Sequence, residues 1–178
     1  MSDAFEAREI IGLARRAVEM FVREKQLLDL PSSLSARLAR PAACFVSIKT
    51  NAGGLRGCIG TIEPVHKTLA EEIIANAASA ATRDPRFPPV AATELPFLRY
   101  SVDVLSEPKA ARPEELDPKV YGVIVEDKDG LRRGLLLPDL EGISTVDQQI
   151  TVAARKAGIP PNTPLRFFRF RVERFRVD

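Results

Sequence analysis

The sequence predicts an α+β fold: one two-lobed domain of antiparallel β-sheet with flanking helices. Three observations predict it. Apolar residues recur at helical spacing in three separate stretches, alternating apolar runs come in pairs joined by short glycine-containing turns, and the two kinds follow each other in mixed order rather than strict βαβ alternation. At 178 residues the chain is long enough for one domain with a real core, whereas two full domains would be cramped. The whole chain, 1–178, is therefore expected to form one domain, with 1–42 as an N-terminal helical segment and 43–178 as the α+β region.

Asp3-Ala4-Phe5-Glu6 reads as a capping box opening a long helix, with Leu13, Ala14, Ala17, Val18, Phe21 and Val22 on one stripe as far as about Leu28. Pro31, Ser32, Ser33 and Pro41 mark a loop with one helical turn around Leu34 to Leu38. Cys44 to Ile48 is a strand, Asn51-Ala52-Gly53-Gly54 its turn, and Leu55 to Thr61 the returning arm of a hairpin. Thr68 to Ala81 is an alanine-rich helix with Leu69, Ile73, Ala77 and Ala80 on one face. Arg83-Asp84-Pro85-Arg86-Phe87-Pro88-Pro89 cannot continue it, because proline lacks the amide donor and restricts its neighbour. Tyr100 to Leu105 is a strand, and Tyr121 to Glu126 with Arg133 to Leu137 make a second hairpin across Asp127-Lys128-Asp129-Gly130. Ser144 and Thr145 lead a third helix, with Asp147 and Gln148 as reciprocal caps and Gly158 as its stop. The chain closes on one strand, Leu165 to Val172.

Composition narrows the function classes. Hydrophobic content of 45% and charged content of 28% match an ordinary globular protein and argue against disorder or a fibrous repeat. A net charge of +2 is too near balance to point to nucleic acid. The N-terminus lacks the continuous apolar core of a signal peptide, and no apolar run approaches membrane-spanning length, so a cytoplasmic protein away from the membrane is expected. Cys44 and Cys58, the two cysteines, then read as free thiols. Neither belongs to a CxxC and His66 is the only histidine, so no metal site of the usual Cys/His kind and no cofactor is written in the chain.

Leu55-Arg56-Gly57-Cys58-Ile59-Gly60 is the stretch that reads as a site, since a thiol, a guanidinium and two glycines share six residues. In an extended arm Arg56 and Cys58 share a face, and an adjacent cation favours the thiolate that attacks electrophiles. Gly57 and Gly60 leave the backbone open to close approach by a ligand or a packing element. The other reading is a buried structural cysteine in a tight hairpin. Glu63 and His66 follow closely as acid/base partners for the thiol, against a solvated turn. In the proline loop, Asp84 and Arg86 would bound a cleft over Cys58, against a local cap and an internal salt bridge.

Other patterns fit less well. Gly54-x-x-Gly57-x-x-Gly60 lies inside a hairpin arm rather than between a strand and a helix, where a dinucleotide fingerprint belongs. Gly54-Leu55-Arg56-Gly57 matches a KH-type GxxG only in letters. Arg166-Phe167-Phe168-Arg169-Phe170-Arg171 alternates rings and guanidiniums on opposite faces, as a half-buried strand does.

Together, Leu55 to Thr61, Glu63-Pro64, Asp84 to Pro89, Glu94-Leu95-Pro96, Ser101 to Leu105, Gly134 to Pro138 and Lys156-Ala157-Gly158 resemble the AMMECR-domain family, in particular its stand-alone prokaryotic branch within the AmmeMemoRadiSam system. The likeness runs in order from about Ala43 onward. It implies a two-lobed α+β domain with the signature near a cleft, and association with Memo-type and radical-SAM proteins. It implies no settled reaction, since an enzymatic role and a nucleic-acid-linked role have both been proposed for the family. Arg155 stands where relatives often carry Cys or Trp nearby, and the chain has no Trp, which leaves Cys58 as the signature thiol. Two functions follow as expectations. One is an enzyme or enzyme-accessory domain that orients a small anionic or carbonyl ligand with Arg56 and Arg86 beside Cys58. The other is a non-catalytic interaction module using Arg86, Phe87 and the hairpin, with nucleic-acid-linked regulation a distant third.

Overall fold

The elements run α1 (Ser2–Glu24), β1 (Cys44–Thr50), β2 (Leu55–Gly60), α2 (Leu69–Thr82), β3 (Leu98–Leu105), β4 (Lys109–Ala111), β5 (Gly122–Asp127), β6 (Arg133–Leu136), α3 (Val146–Lys156), β7 (Leu165–Phe170) and β8 (Val172–Arg176). Short 3-10 turns span Ala92–Phe97 and Pro113–Glu115. This computed structural model describes residues 2–176, with side chains from 4 onward, so the expected cap at Asp3 lies outside the described side chains. The fold is α+β with two four-stranded sheets, ordered β2-β1-β3-β8 and β4-β7-β5-β6. The chain divides into two compact units, Met1–Val104 with Glu173–Asp178, and Leu105–Val172.

In the first unit α1 and α2 cover one face of the sheet. The α1 stripe is buried as its spacing predicts except at Phe21, and on α2 Leu69, Ile73, Ala77 and Ala80 all lie in the core against Cys44, Val46 and Ile48 of β1. Thr68 caps α2 reciprocally: its hydroxyl accepts the Glu71 amide, and the Glu71 carboxylate accepts the Thr68 amide. Helix α1 stops earlier than the stripe suggests, at Glu24, because Lys25 adopts φ 58°. Leu28 still packs against the core, from non-helical chain, so apolar spacing alone overran the helix. The turn after it is closed by the Ala39 amide on the Ser35 carbonyl.

In the second unit β5 pairs antiparallel with β6 and β7, and β7 with β4. Thr145 and Gln148 form the cap of α3, and Gly158 takes the left-handed φ of 64° just past its end. The closing strand differs from expectation. It breaks at Arg171 into β7, in the second sheet, and β8, in the first. The apolar phase carries across the break from Phe170 to Val172 and shifts only afterwards, at Arg174-Phe175, so Arg171 itself carries no local mark of the change of sheet.

Candidate functional site

The β1–β2 register sets Ser47 opposite Cys58, and the β1–β3 register sets Ser101 opposite Ser47. Period two therefore puts a thiol and two hydroxyl residues in one row across three strands, on the face away from the buried Cys44, Val46 and Ile48. The Ser47 hydroxyl donates to the Cys58 sulfur at 3.2 Å. Ser47 was not anticipated as a site residue, because cross-strand neighbours follow from register rather than from spacing along the chain.

Asp84 connects this strand to the proline loop. Its Oδ2 accepts the Cys58 amide at 2.8 Å and Arg86 Nη2 at 2.7 Å, while its Oδ1 accepts Arg86 Nε at 2.9 Å and the Arg86 amide at 3.0 Å. One buried carboxylate thus fixes the edge of β2, the turn of the loop and the guanidinium. The Asp84 side chain is 2% exposed and that of Arg86 55%. The Arg86 guanidinium holds the Asp84 carboxyl well below the usual carboxylate range, an effect larger than the opposing burial. Arg86 Nη1 takes no hydrogen-bond partner among the described residues, so the fork grips Asp84 on one edge and is open on the other.

Arg56 does something different from what the sequence suggests. Its Nε and Nη2 clasp Glu94 at 2.7 and 2.9 Å, and Nη1 and Nη2 reach the Pro88 and Pro89 carbonyls at 2.9 and 3.4 Å. The fork straps β2 to the proline loop and the following turn, and it holds the Glu94 carboxyl below its ordinary value. The cation acting on the thiol is Arg86. The net direction is also the opposite of the expected one, since burial pushes the Cys58 thiol up and outweighs the Ser47 hydrogen bond and the Arg86 charge. Cys58 rests as a neutral thiol. Both cysteines are free, and the fully buried Cys44 thiol is pushed up to about 12 by burial.

The signature glycines make room for protein. A Cβ at Gly57 would stand 2.1 Å from the Ala80 carbonyl oxygen of α2, and one at Gly60 2.3 Å from the Phe45 ring and 2.6 Å from the Cys44 carbonyl oxygen. Glu63 and His66 lie on the exposed segment after β2. That segment is held from beneath by Glu72, 1% exposed, which accepts the Thr61 hydroxyl at 2.5 Å and the Val65 and His66 amides at 2.9 Å each. The structure thus brings Cys58, Asp84 and Arg86 together, turns Arg56 to Glu94, and keeps the His66 side chain outward. Among the described residues no group of three or more His, Cys, Asp or Glu side chains is placed to hold a metal ion, and no helix is long and apolar enough to cross a membrane.

The chain as a whole has recognisable relatives. The sequence profile of the AMMECR1 family matches residues 11–177. A protein of Thermotoga maritima is 48% identical over 166 residues, covering 92% of this chain and 94% of its own length. Protein CA_C1420 of Clostridium acetobutylicum is 52% identical over 168 residues, but those cover 93% of this chain and only 35% of that larger protein. The crystal structure of the uncharacterised protein PH0010 from Pyrococcus horikoshii superposes with a TM-score of 0.84 at 29% identity, over 94% of this chain and 89% of that one.

Proposed function

We propose a function from one premise: the chain belongs to the AMMECR1 family. It binds a small anionic or carbonyl-bearing ligand on the Cys58 face of the first sheet, as an enzyme or an enzyme-accessory domain. The observation that carries this reading is the half-exposed Arg86 guanidinium, fixed beside the thiol strand by a buried carboxylate and open along one edge. A cation held this way loses little freedom when a carboxylate, phosphate or polarised carbonyl docks on it. Cys58 is the nucleophile or redox thiol, kept neutral until a ligand arrives. Arg56, Gly57 and Gly60 support the site by holding the hairpin and loop in place. Glu63 and His66, on the loop after β2, are the candidates for moving the thiol's proton. The reading includes Memo-type and radical-SAM partners, drawn from the family resemblance, and a cytoplasmic setting, the expectation from a chain without a membrane-length apolar run.

A second reading, an interaction module, is favoured by the exposure of Leu55, the first residue of the signature, at 39% and of Val65, five residues past its end, at 73%. Iodoacetamide alkylation followed by mass spectrometry separates the two. Cys58 is expected to label well ahead of Cys44 in the folded protein, with a rate that rises only above the pH of an ordinary thiol. Arg86→Gln should move that profile to still higher pH by removing the cation nearest the sulfur. Arg56→Ala should leave it in place. Labelling of both cysteines only on unfolding would end the thiol reading in favour of the interaction module.

A further inference from the structure

The second unit contains a cavity of about 310 Å³ whose lining includes Ser106, Glu107, Lys109, Tyr121, Arg169 and Arg171. Its chemistry is unlike that of the Cys58 face. The half-buried Arg169 of β7 and the exposed Arg171 just past it flank the buried Phe170. Each guanidinium carbon stands 4.8 Å from the centre of the Tyr121 ring. Arg169 Nη1 donates to the Glu115 carbonyl at 2.8 Å, and Arg171 Nη2 donates to the Tyr121 hydroxyl at 3.2 Å. These contacts orient the two forks without an ion pair, although the exposed Glu115 carboxylate lies near enough to Arg169 to feel its charge. Among the described residues neither guanidinium, nor the Lys109 ammonium on β4, forms an ion pair. Three cations therefore share one cavity with a single carboxylate, Glu107.

Like charges gathered around a concavity repel one another, and a ring quadrupole offsets only part of that repulsion. A bound anion offsets the rest. We propose that this cavity binds the phosphate group of a small phosphate monoester, with Arg169 and Arg171 taking its oxygens, Lys109 supplying the third charge and the Ser106 hydroxyl an additional donor. A phosphate dianion matches the excess of two positive charges among the lining residues better than one carboxylate does, and its oxygens suit fork geometry. The volume is at the small end of ligand sites, which fits a metabolite. A nucleic-acid strand is disfavoured because its bases need a free aromatic face, and Tyr121 is already covered by guanidinium.

Isothermal titration calorimetry with sn-glycerol 3-phosphate, inorganic phosphate, citrate and an eight-residue oligothymidylate tests this. Glycerol 3-phosphate should bind with one-to-one stoichiometry and a Kd below about 1 mM at low salt, ahead of citrate and the oligonucleotide. Lys109→Gln and Arg171→Gln should each weaken it by about tenfold, and Arg171→Lys by less, since it keeps the charge and loses the fork. Arg8→Gln, which removes one exposed charge from α1, should leave the affinity unchanged, and circular dichroism checks that all variants are folded. No heat up to about 10 mM monoester, or binding that survives Lys109→Gln with Arg171→Gln, overturns the proposal. Preference for the oligonucleotide would overturn it in favour of a nucleic-acid site, and preference for citrate in favour of a carboxylate site. The Cys58 reading stands or falls separately, because alkylation reads a thiol in the other unit.

Discussion

Asp84 spends its four strongest contacts on one strand amide, one loop amide and one guanidinium, so its charge does structural work at the edge of β2. Its folded pKa lies below the unfolded value, so the stability it contributes is present above about pH 4 and is lost as pH falls toward the folded value. Glu94, held low by Arg56, adds to the same trend. Asp84→Asn is expected to cost about 2 kcal/mol at pH 7, less than a wholly buried pair would, because Arg86 is half in water. Thermal melts at pH 7 and pH 3 check this: the gap between wild type and variant should shrink at pH 3, and an equal gap at both would rule the linkage out. Arg56 shows how far residue-level reading goes. Strand periodicity puts it on the Cys58 face, but its partner Glu94 lies 38 residues away, beyond the reach of any local pattern.

Both units use the same device at the scale of elements: a helix backbone seated against a strand glycine. Gly57 of β2 meets Ala80 of α2, and Gly134 of β6 meets Ala153 of α3, each with 2.1 Å from a built Cβ to a helix carbonyl oxygen. Small residues on α2 and α3 allow the approach and glycine completes it. Gly57→Val has no flexible side chain to push aside, only helix backbone, so it should cost about 3 kcal/mol or more and lower Tm by roughly 6 °C or more. A melt unchanged from wild type would mean that α2 does not rest on that strand. The alanine stripe of α2 and the glycines of β2 were both legible in the sequence, but their meeting was not, because it depends on how far the helix axis sits from the sheet.

Across the whole molecule, the last strand carries the least expected feature. β8 joins the first sheet and inserts Phe175, 5% exposed, into a core built otherwise from residues before 105. Phe175→Ala should therefore destabilise the first unit by about 3 kcal/mol or more, and hydrogen exchange should show faster opening at the amides of α1 and β1. Unchanged exchange there would refute the tail's part in that core. The sequence by itself determined the α+β class, most helices and hairpins, the capped start of α3 at Thr145 and Gln148, and the six-residue signature with its neighbouring Asp84–Arg86 loop. Those features are written in periods of two and 3.6 residues and in turn chemistry, all of which act over a few residues. Only the tertiary structure decided that β8 leaves the second sheet for the first, that Arg56 pairs with Glu94, that Asp84 takes the Cys58 amide, and that Cys58 is a neutral thiol beside Ser47. Those outcomes depend on sheet register, on distances between remote residues, and on burial that weakens solvation of charge, none of which a local pattern encodes.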